Sequence, residues 1–273
     1  MKNIYHFEAM TTPCELVMFS KDKTSSDSVA KLILQETKRL EKKYNFFDPL
    51  SYLSQINQRK VLELDDETKW ILKSCISYYN KTNKIFDITV GTIKDIYKNS
   101  KSLDEVDTKK ESLKEFLGCE HIKITKSKIS FTNPYTKIDL GGYVKEYAVD
   151  RAVKILKRKK IFSALINFGG DIYALGTKDK KEPFKIGIKD PKNPNIMATF
   201  VELENQAITT SASYERGYEI AGKRFSHILS GESYEQRYQS VSVISKSCVQ
   251  SGIFSTAMMI DPDIKLNDKV IFL

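Results

Sequence analysis

Asp139-Leu140-Gly141-Gly142-Tyr143-Val144-Lys145 marks the point at which a short apolar strand, Lys137–Leu140, gives way to a helix predicted over Gly141–Lys160. Bare backbone at a helix N-terminus suits an anion, because unpaired N–H groups and the helix dipole face the ligand. The glycine pair lets a phosphate approach the main chain, and Lys145 follows one turn in. The spacing matches neither the G-x-G-x-x-G of dinucleotide folds nor a P-loop ending in Lys-Ser/Thr. Taken alone, a tight turn with close helix packing explains the glycines as well.

Outward from this junction, apolar periodicity assigns the other elements. Residues 4–19 read as a strand, closed by the polar run Ser20–Ser28, and Val29, Leu32, Ile33, Glu36, Leu40 and Tyr44 recur at helical spacing. Asp48-Pro49 ends that unit, and Ser51–Ile56 is a short helical turn. Asp66–Lys81 is a helix, a turn over Lys84–Thr89 opens another, and 103–117 is a charged amphipathic helix. Ile122–Ile124 and Ile129–Phe131 are short strands. Ser163–Asn167 and Ile172–Leu175 flank Gly169-Gly170-Asp171, which fits a hairpin turn. Strands follow at Phe184–Ile188, Thr199–Glu204, Ala207–Ser211, Tyr218–Ala221 and Val241–Ile244, then a helix over Ser247–Ile260 and a strand over Lys269–Leu273. The irregular alternation with many antiparallel neighbours predicts an α+β fold, a single interleaved domain over 1–273.

The chain of 273 residues is 41% hydrophobic, 11% aromatic and 29% charged, within the soluble globular range. This composition excludes disordered, collagenous and disulfide-scaffold classes. No run approaches the roughly 18 apolar residues of a membrane span, and the first ten residues carry Glu8 and no apolar core, unlike a secretory signal. The +9 net charge favours anionic partners. Its densest runs, Lys157–Lys160 and Lys178–Lys181, are short, so solvated faces are expected and no nucleic-acid footprint. Cys14, Cys75, Cys119 and Cys248 lack metal-ligand or C-x-x-C spacing and are expected as free thiols in a reducing compartment. His6, His121 and His227 do not group.

Six ordered segments together carry more than any one of them. The chain reads Asp48-Pro49-Leu50-Ser51-Tyr52-Leu53-Ser54-Gln55-Ile56-Asn57, then Phe86-Asp87-Ile88-Thr89-Val90-Gly91, then Asp139–Asp150. Asn167–Ile172, Thr210–Arg216 and Ser240–Ile260 follow in order. In this it resembles the ApbE-type FAD:protein FMN transferases, whose motifs read D-P-x-S-x-L-S-x-L-N, F-D-x-T-V-G, D-L-G-G-x-x-K-G-Y-A-V-D and N-x-G-G-D-I. In the third run only Glu146 departs.

The resemblance implies a nucleotide cleft between two lobes, with mixed or antiparallel sheets and flanking helices. It implies transfer of FMN from FAD to a Thr or Ser hydroxyl of a target flavoprotein, with release of AMP, aided by Mg²⁺. Met10, Phe47, Ile85, Phe86, Asp87, Asp139, Lys145 and Ile228 are then expected around the flavin nucleotide. His227 and Asp139 are expected as catalytic residues, and Gly142, Ser255 and Thr256 as metal ligands. The partners implied are FAD and an acceptor flavoprotein, with no nucleic acid and no membrane span, in the cytoplasm.

Three acidic positions of the family pattern are missing. The late D-A-L-A-T-A helix reads Gly252-Ile253-Phe254-Ser255-Thr256-Ala257, and Ser213 and Ser230 stand where the pattern has Asp. Mg²⁺ prefers oxygen ligands with at least one carboxylate, which leaves Asp171, Asp87 or Asp261 to supply one. The alternative function is a FAD-binding member that stores or senses flavin without transfer. Restoring the acid with Gly252→Asp is expected to raise cation affinity and to gain a few tenths of a kcal/mol of helix propensity.

Overall fold

The computed structural model describes residues 1–273 other than 101, 179–180, 194, 213–216, 221–222 and 227–236. Two strands, β1 (Lys2–Ala9) and β2 (Thr12–Phe19), form a hairpin where the sequence suggests one strand. Its turn is made by Met10 and Thr11, both at positive φ (52° and 57°) although neither is glycine, which hides the turn from inspection. Next come α1 (Lys23–Tyr44), α2 (Tyr52–Asn57), α3 (Asp66–Lys81), α4 (Gly91–Asn99) and α5 (Leu103–Leu113). The last is shorter than expected, because the chain tightens into a 3₁₀ turn over Lys114–Phe116. A small hairpin, β3 (Ile122–Thr125) with β4 (Lys128–Phe131), precedes α6 (Val144–Arg158). The rest is β5 (Ala164–Phe168), β6 (Asp171–Leu175), β7 (Phe184–Lys189), β8 (Met197–Leu203), β9 (Gln206–Ala212), β10 (Gly217–Ile220), β11 (Lys223–Ser226), β12 (Ser240–Ser245), α7 (Cys248–Ile260) and β13 (Lys269–Phe272).

Seven strands form one sheet in the order β1-β2-β5-β6-β9-β12-β13, each antiparallel to its neighbours. The period-two alternation sorts its side chains. Leu16, Met18, Ile166, Phe168, Tyr173 and Ala207 join the large core beneath α1 and α6. Leu165, Ile172, Ala174, Ile208 and Ile244 face the other way, onto the β7–β8 hairpin. The fold is mixed α+β, as expected. The expected strand over 137–140 belongs to no sheet among the described residues and makes only an isolated parallel bridge, Val90 to Lys137.

Helix α7 is predominantly apolar and accordingly buried between layers. Val241, Val243, Phe254, Ala257 and Met258 pack its sheet-facing side. Ser247 caps it by accepting from Gln250 N, and Asp150 of α6 accepts from Cys248 N at 2.8 Å and Val249 N at 3.2 Å. A carboxylate there satisfies orphan N–H groups and complements the dipole. The start of α7 is thereby tied to the middle of α6.

Candidate functional site

The segment leading to Asp139 is held by side chains far away in sequence. Asn57 donates from Nδ2 to Ile138 O (2.8 Å) and accepts from Ile138 N (2.7 Å). Asp139 N donates to Ile88 O at 2.8 Å. Gly91 starts α4 directly against this segment. A Cβ there would lie 2.8 Å from Lys137 O and 3.0 Å from a Phe46 ring carbon, so only glycine fits without movement. Three of the sequence motifs thus converge on one short stretch of backbone.

Asp139 accepts from Gly141 N at 3.0 Å and pairs with Lys94 Nζ at 2.5 Å, with both side chains largely buried. Lys94 lies 5.1 Å from the Phe46 ring centroid and 4.8 Å from that of Phe47, within cation–π range. Phe47 is itself exposed. Gly141 and Gly142 are exposed, α6 has no side-chain cap, and a Cβ on Gly142 would sit 3.8 Å from the buried Phe86 ring. The junction therefore combines an accessible glycine pair, an uncapped helix N-terminus, an aromatic wall and two lysines. Phe47, Phe86, Asp139 and Gly142 are brought together here, with Lys94 added.

Lys145, in the first turn of α6, pairs with Asp171, the buried first residue of β6. Burial works against its charge, but Asp171 and Glu146 outweigh that and hold the ammonium protonated. Gly169 and Gly170 make the β5–β6 turn at positive φ (61° and 95°), which delivers Asp171 to this position. A Cβ on Gly169 would lie 1.9 Å from Thr12 Oγ1, so β2 crowds that turn.

Behind this pair, α6 faces α7. Ser255 and Thr256 both bond Ser211 of β9, at 2.9 and 3.0 Å, and Ser255 donates to Gly252 O at 3.1 Å. Glu146 is buried, and its Oε2 has no hydrogen-bond partner. Burial pushes its carboxyl pKa upward, the Asp171 charge adds to this, and Lys145 opposes it. A Cβ on Gly252 would lie 2.6 Å from Glu146 Cγ and 3.1 Å from Oε1. This overturns the expected gain from Gly252→Asp, because the space for a side chain at 252 is already filled by Glu146.

The remaining expected residues are spread wider. Met10, in its left-handed turn, donates from its backbone N to Glu41 Oε1 at 2.6 Å and packs on the core edge. Asp87 accepts from Thr89 N (2.8 Å) and Oγ1 (2.7 Å) and from Cys119 Sγ (3.7 Å), and burial raises its pKa. These bonds are those of a turn-capping acid. Ile85 packs against the apolar cluster that contains Phe254. His227 and Ile228 lie outside the described residues.

Two groups escaped the sequence reading. Lys94 carries no motif of its own, and Glu146 registered only as a break in one. Among the described residues no three His, Cys, Asp or Glu side chains gather into a metal cluster. The donors present behind the helix junction are all oxygens, one of them an orphaned buried carboxylate atom, which suits a hard divalent cation.

The sequence model of the ApbE family matches residues 10–267. The chain belongs to the ApbE family. A FAD:protein FMN transferase of Vibrio cholerae is 26% identical over 236 residues, 84% of this chain and 71% of that protein. One from Klebsiella pneumoniae is 32% identical over 138 residues, covering 49% of this chain and 42% of its own length. The ApbE protein of Thermotoga maritima superposes with a TM-score of 0.87 at 26% identity, covering 100% of this chain and 94% of its own. In this ApbE member the family match spans the glycine junction, Lys145 and α7 alike.

Proposed function

We propose that this protein is a FAD:protein FMN transferase. One observation carries the reading beyond family membership: the exposed Gly141-Gly142 pair at an uncapped helix N-terminus, walled by Phe86 and flanked by Lys94 and Lys145. Such an array suits a dinucleotide pyrophosphate, since the positive end of the α6 dipole and two cations lie beside the glycine pair. In the reaction, an acceptor Thr or Ser oxygen bonds to the FMN phosphorus of FAD, the bond to the AMP oxygen breaks, and the hydroxyl proton passes to a base. His227 is the residue assigned to that base. Phosphoryl transfer of this kind rests on positioning and on neutralising developing charge.

Within this proposal Lys145 and the α6 N-terminus hold the pyrophosphate, and the exposed Phe47 offers ring surface to the flavin or adenine, with Phe86 packed behind Gly142. Asp139 fixes Gly141 through its backbone N–H, and Lys94 pairs with Asp139. Gly142, Ser255 and Thr256 are the assigned oxygen donors to Mg²⁺, which when bound polarises the phosphoryl oxygens. Residues 1–273 act as one unit, and no helix among the described residues is long and apolar enough to cross a membrane. Four free, buried cysteines suit a reducing compartment, which supports the cytoplasm. The test is to incubate the protein with FAD, Mg²⁺ and a Thr-bearing acceptor peptide or flavoprotein subunit. AMP release with covalent flavin fluorescence on the acceptor supports transfer. Tight FAD binding with neither product supports the storage reading and overturns this one.

A further inference from the structure

We infer that Glu146 supplies the carboxylate of the divalent-cation site, from α6, in place of a side chain at position 252 on α7. The inference rests on the flavin-transferase reading and assigns the acid that reading otherwise lacks. Glu146 is 7% exposed, and its Oε2 meets no hydrogen-bond donor. A buried carboxylate oxygen without a partner carries a desolvation cost, and native proteins keep few such atoms without a functional reason. A cation is the kind of partner that removes that cost.

The direction of the side chain is set by its neighbour. At Gly252 α7 offers bare backbone, and the volume a Cβ would take is filled by Glu146, with Cγ 2.6 Å and Oε1 3.1 Å from it. A carboxylate from position 252 and one from position 146 therefore compete for the same space. Thr256 lies one turn further along α7, on the same face as Gly252. The residue is half-buried, and its hydroxyl bonds Ser211 Oγ at 3.0 Å. The carboxylate of Glu146 thus lies against α7 one turn before Thr256. Asp171 is near enough to act electrostatically on Glu146, but it is engaged by Lys145. The two departures from the family motifs, Glu146 and Gly252, are one exchange of a carboxylate between facing helices.

The test uses Mn²⁺ as a paramagnetic probe, its free concentration read by EPR in the presence of saturating FAD. Wild type is expected to bind Mn²⁺, and Glu146→Gln is expected to weaken it by about tenfold or more, the size seen when a metal site loses one supporting group. The exchange variant Glu146→Gly with Gly252→Asp is expected to recover Mn²⁺ affinity to within about threefold of wild type. Gly252→Asp alone is not, because both side chains then crowd one space. If Glu146→Gln folds poorly, the exchange variant carries the test unaided. Equal Mn²⁺ affinity in wild type and Glu146→Gln, no Mn²⁺ binding in wild type, or failure of a folded exchange variant to bind would each overturn the inference. FAD titration without divalent cation is read in parallel: normal FAD affinity in all variants leaves the flavin reading standing whatever Mn²⁺ does, whereas loss of FAD binding in wild type would remove that reading itself.

Discussion

Replacing Gly252 with alanine isolates the packing of α6 against α7 from any ligand. In an ordinary helix interior, Gly→Ala stabilises by about 1 kcal/mol through backbone entropy. Here the new methyl carbon would lie 2.6 Å from Glu146 Cγ and 3.1 Å from Cδ, well inside contact distance. Overpacking of this kind costs about 1–3 kcal/mol, since Glu146 is buried and has little room to swing away. The net expectation for Gly252→Ala is therefore a loss of about 0–2 kcal/mol. In a Glu146→Ala background the obstruction is gone, and the same substitution should stabilise by about 1 kcal/mol. The two mutations are thus coupled by about 1–3 kcal/mol, a range typical of residues in direct contact. Thermal unfolding of the four proteins, without flavin or metal, measures this, and each kcal/mol moves Tm by roughly 2–4 °C in a chain of this size. Additive effects, with Gly252→Ala stabilising equally in both backgrounds, would show that Glu146 does not occupy the space beside α7.

Other expectations follow from the remaining contacts. Gly91→Ala sets a methyl 2.8 Å from Lys137 O, a backbone atom that cannot step aside, so it should cost about 1–3 kcal/mol and weaken FAD binding by displacing the Asp139 segment; unchanged melting and unchanged FAD titration would contradict this. Lys145→Met leaves Asp171 as an uncompensated buried charge and should cost about 3–5 kcal/mol, with Asp171→Asn in the same chain recovering part of the loss in a urea titration. Glu67 is pushed up by burial, but Arg39 and Lys43 outweigh this and hold its pKa at about 2, below the ordinary 4.5. The folded-state pKa is the lower one, so the stabilisation is complete above about 4.5 and is lost as pH falls toward about 2, amounting to about 1–3 kcal/mol. Glu67→Gln should flatten the pH dependence of unfolding over that window, and an equally steep dependence in the mutant would contradict the assignment.

The periodic helices were the most legible part of the fold. Val29, Ile33, Leu40 and Tyr44 line the buried stripe of α1, and Ile71, Leu72, Cys75 and Tyr79 that of α3. Pattern failed where the determining contact is not local. The turn between β1 and β2 has no glycine because Met10 and Thr11 adopt left-handed backbone while Glu41, on another element, accepts from Met10 N. Lys137–Leu140 has the composition of a strand, yet its hydrogen bonds go to the Asn57 side chain and to Ile88 O.

The site divides along the same line. Gly141, Gly142 and Lys145 could be read as an anion-binding junction because helix N-termini announce themselves locally. The partners that hold its acids, Lys94 for Asp139 and Lys145 for Asp171, are pairings across the fold that no spacing rule encodes. Glu146 and Gly252 carry this furthest. In sequence they are two unrelated blemishes, an acid where a motif has glycine and a glycine where a motif has acid. In space the glycine makes room for the acid: a side chain at 252 would collide with Glu146. A substitution that removes a functional side chain is therefore weak evidence of lost activity until the space it vacates has been inspected.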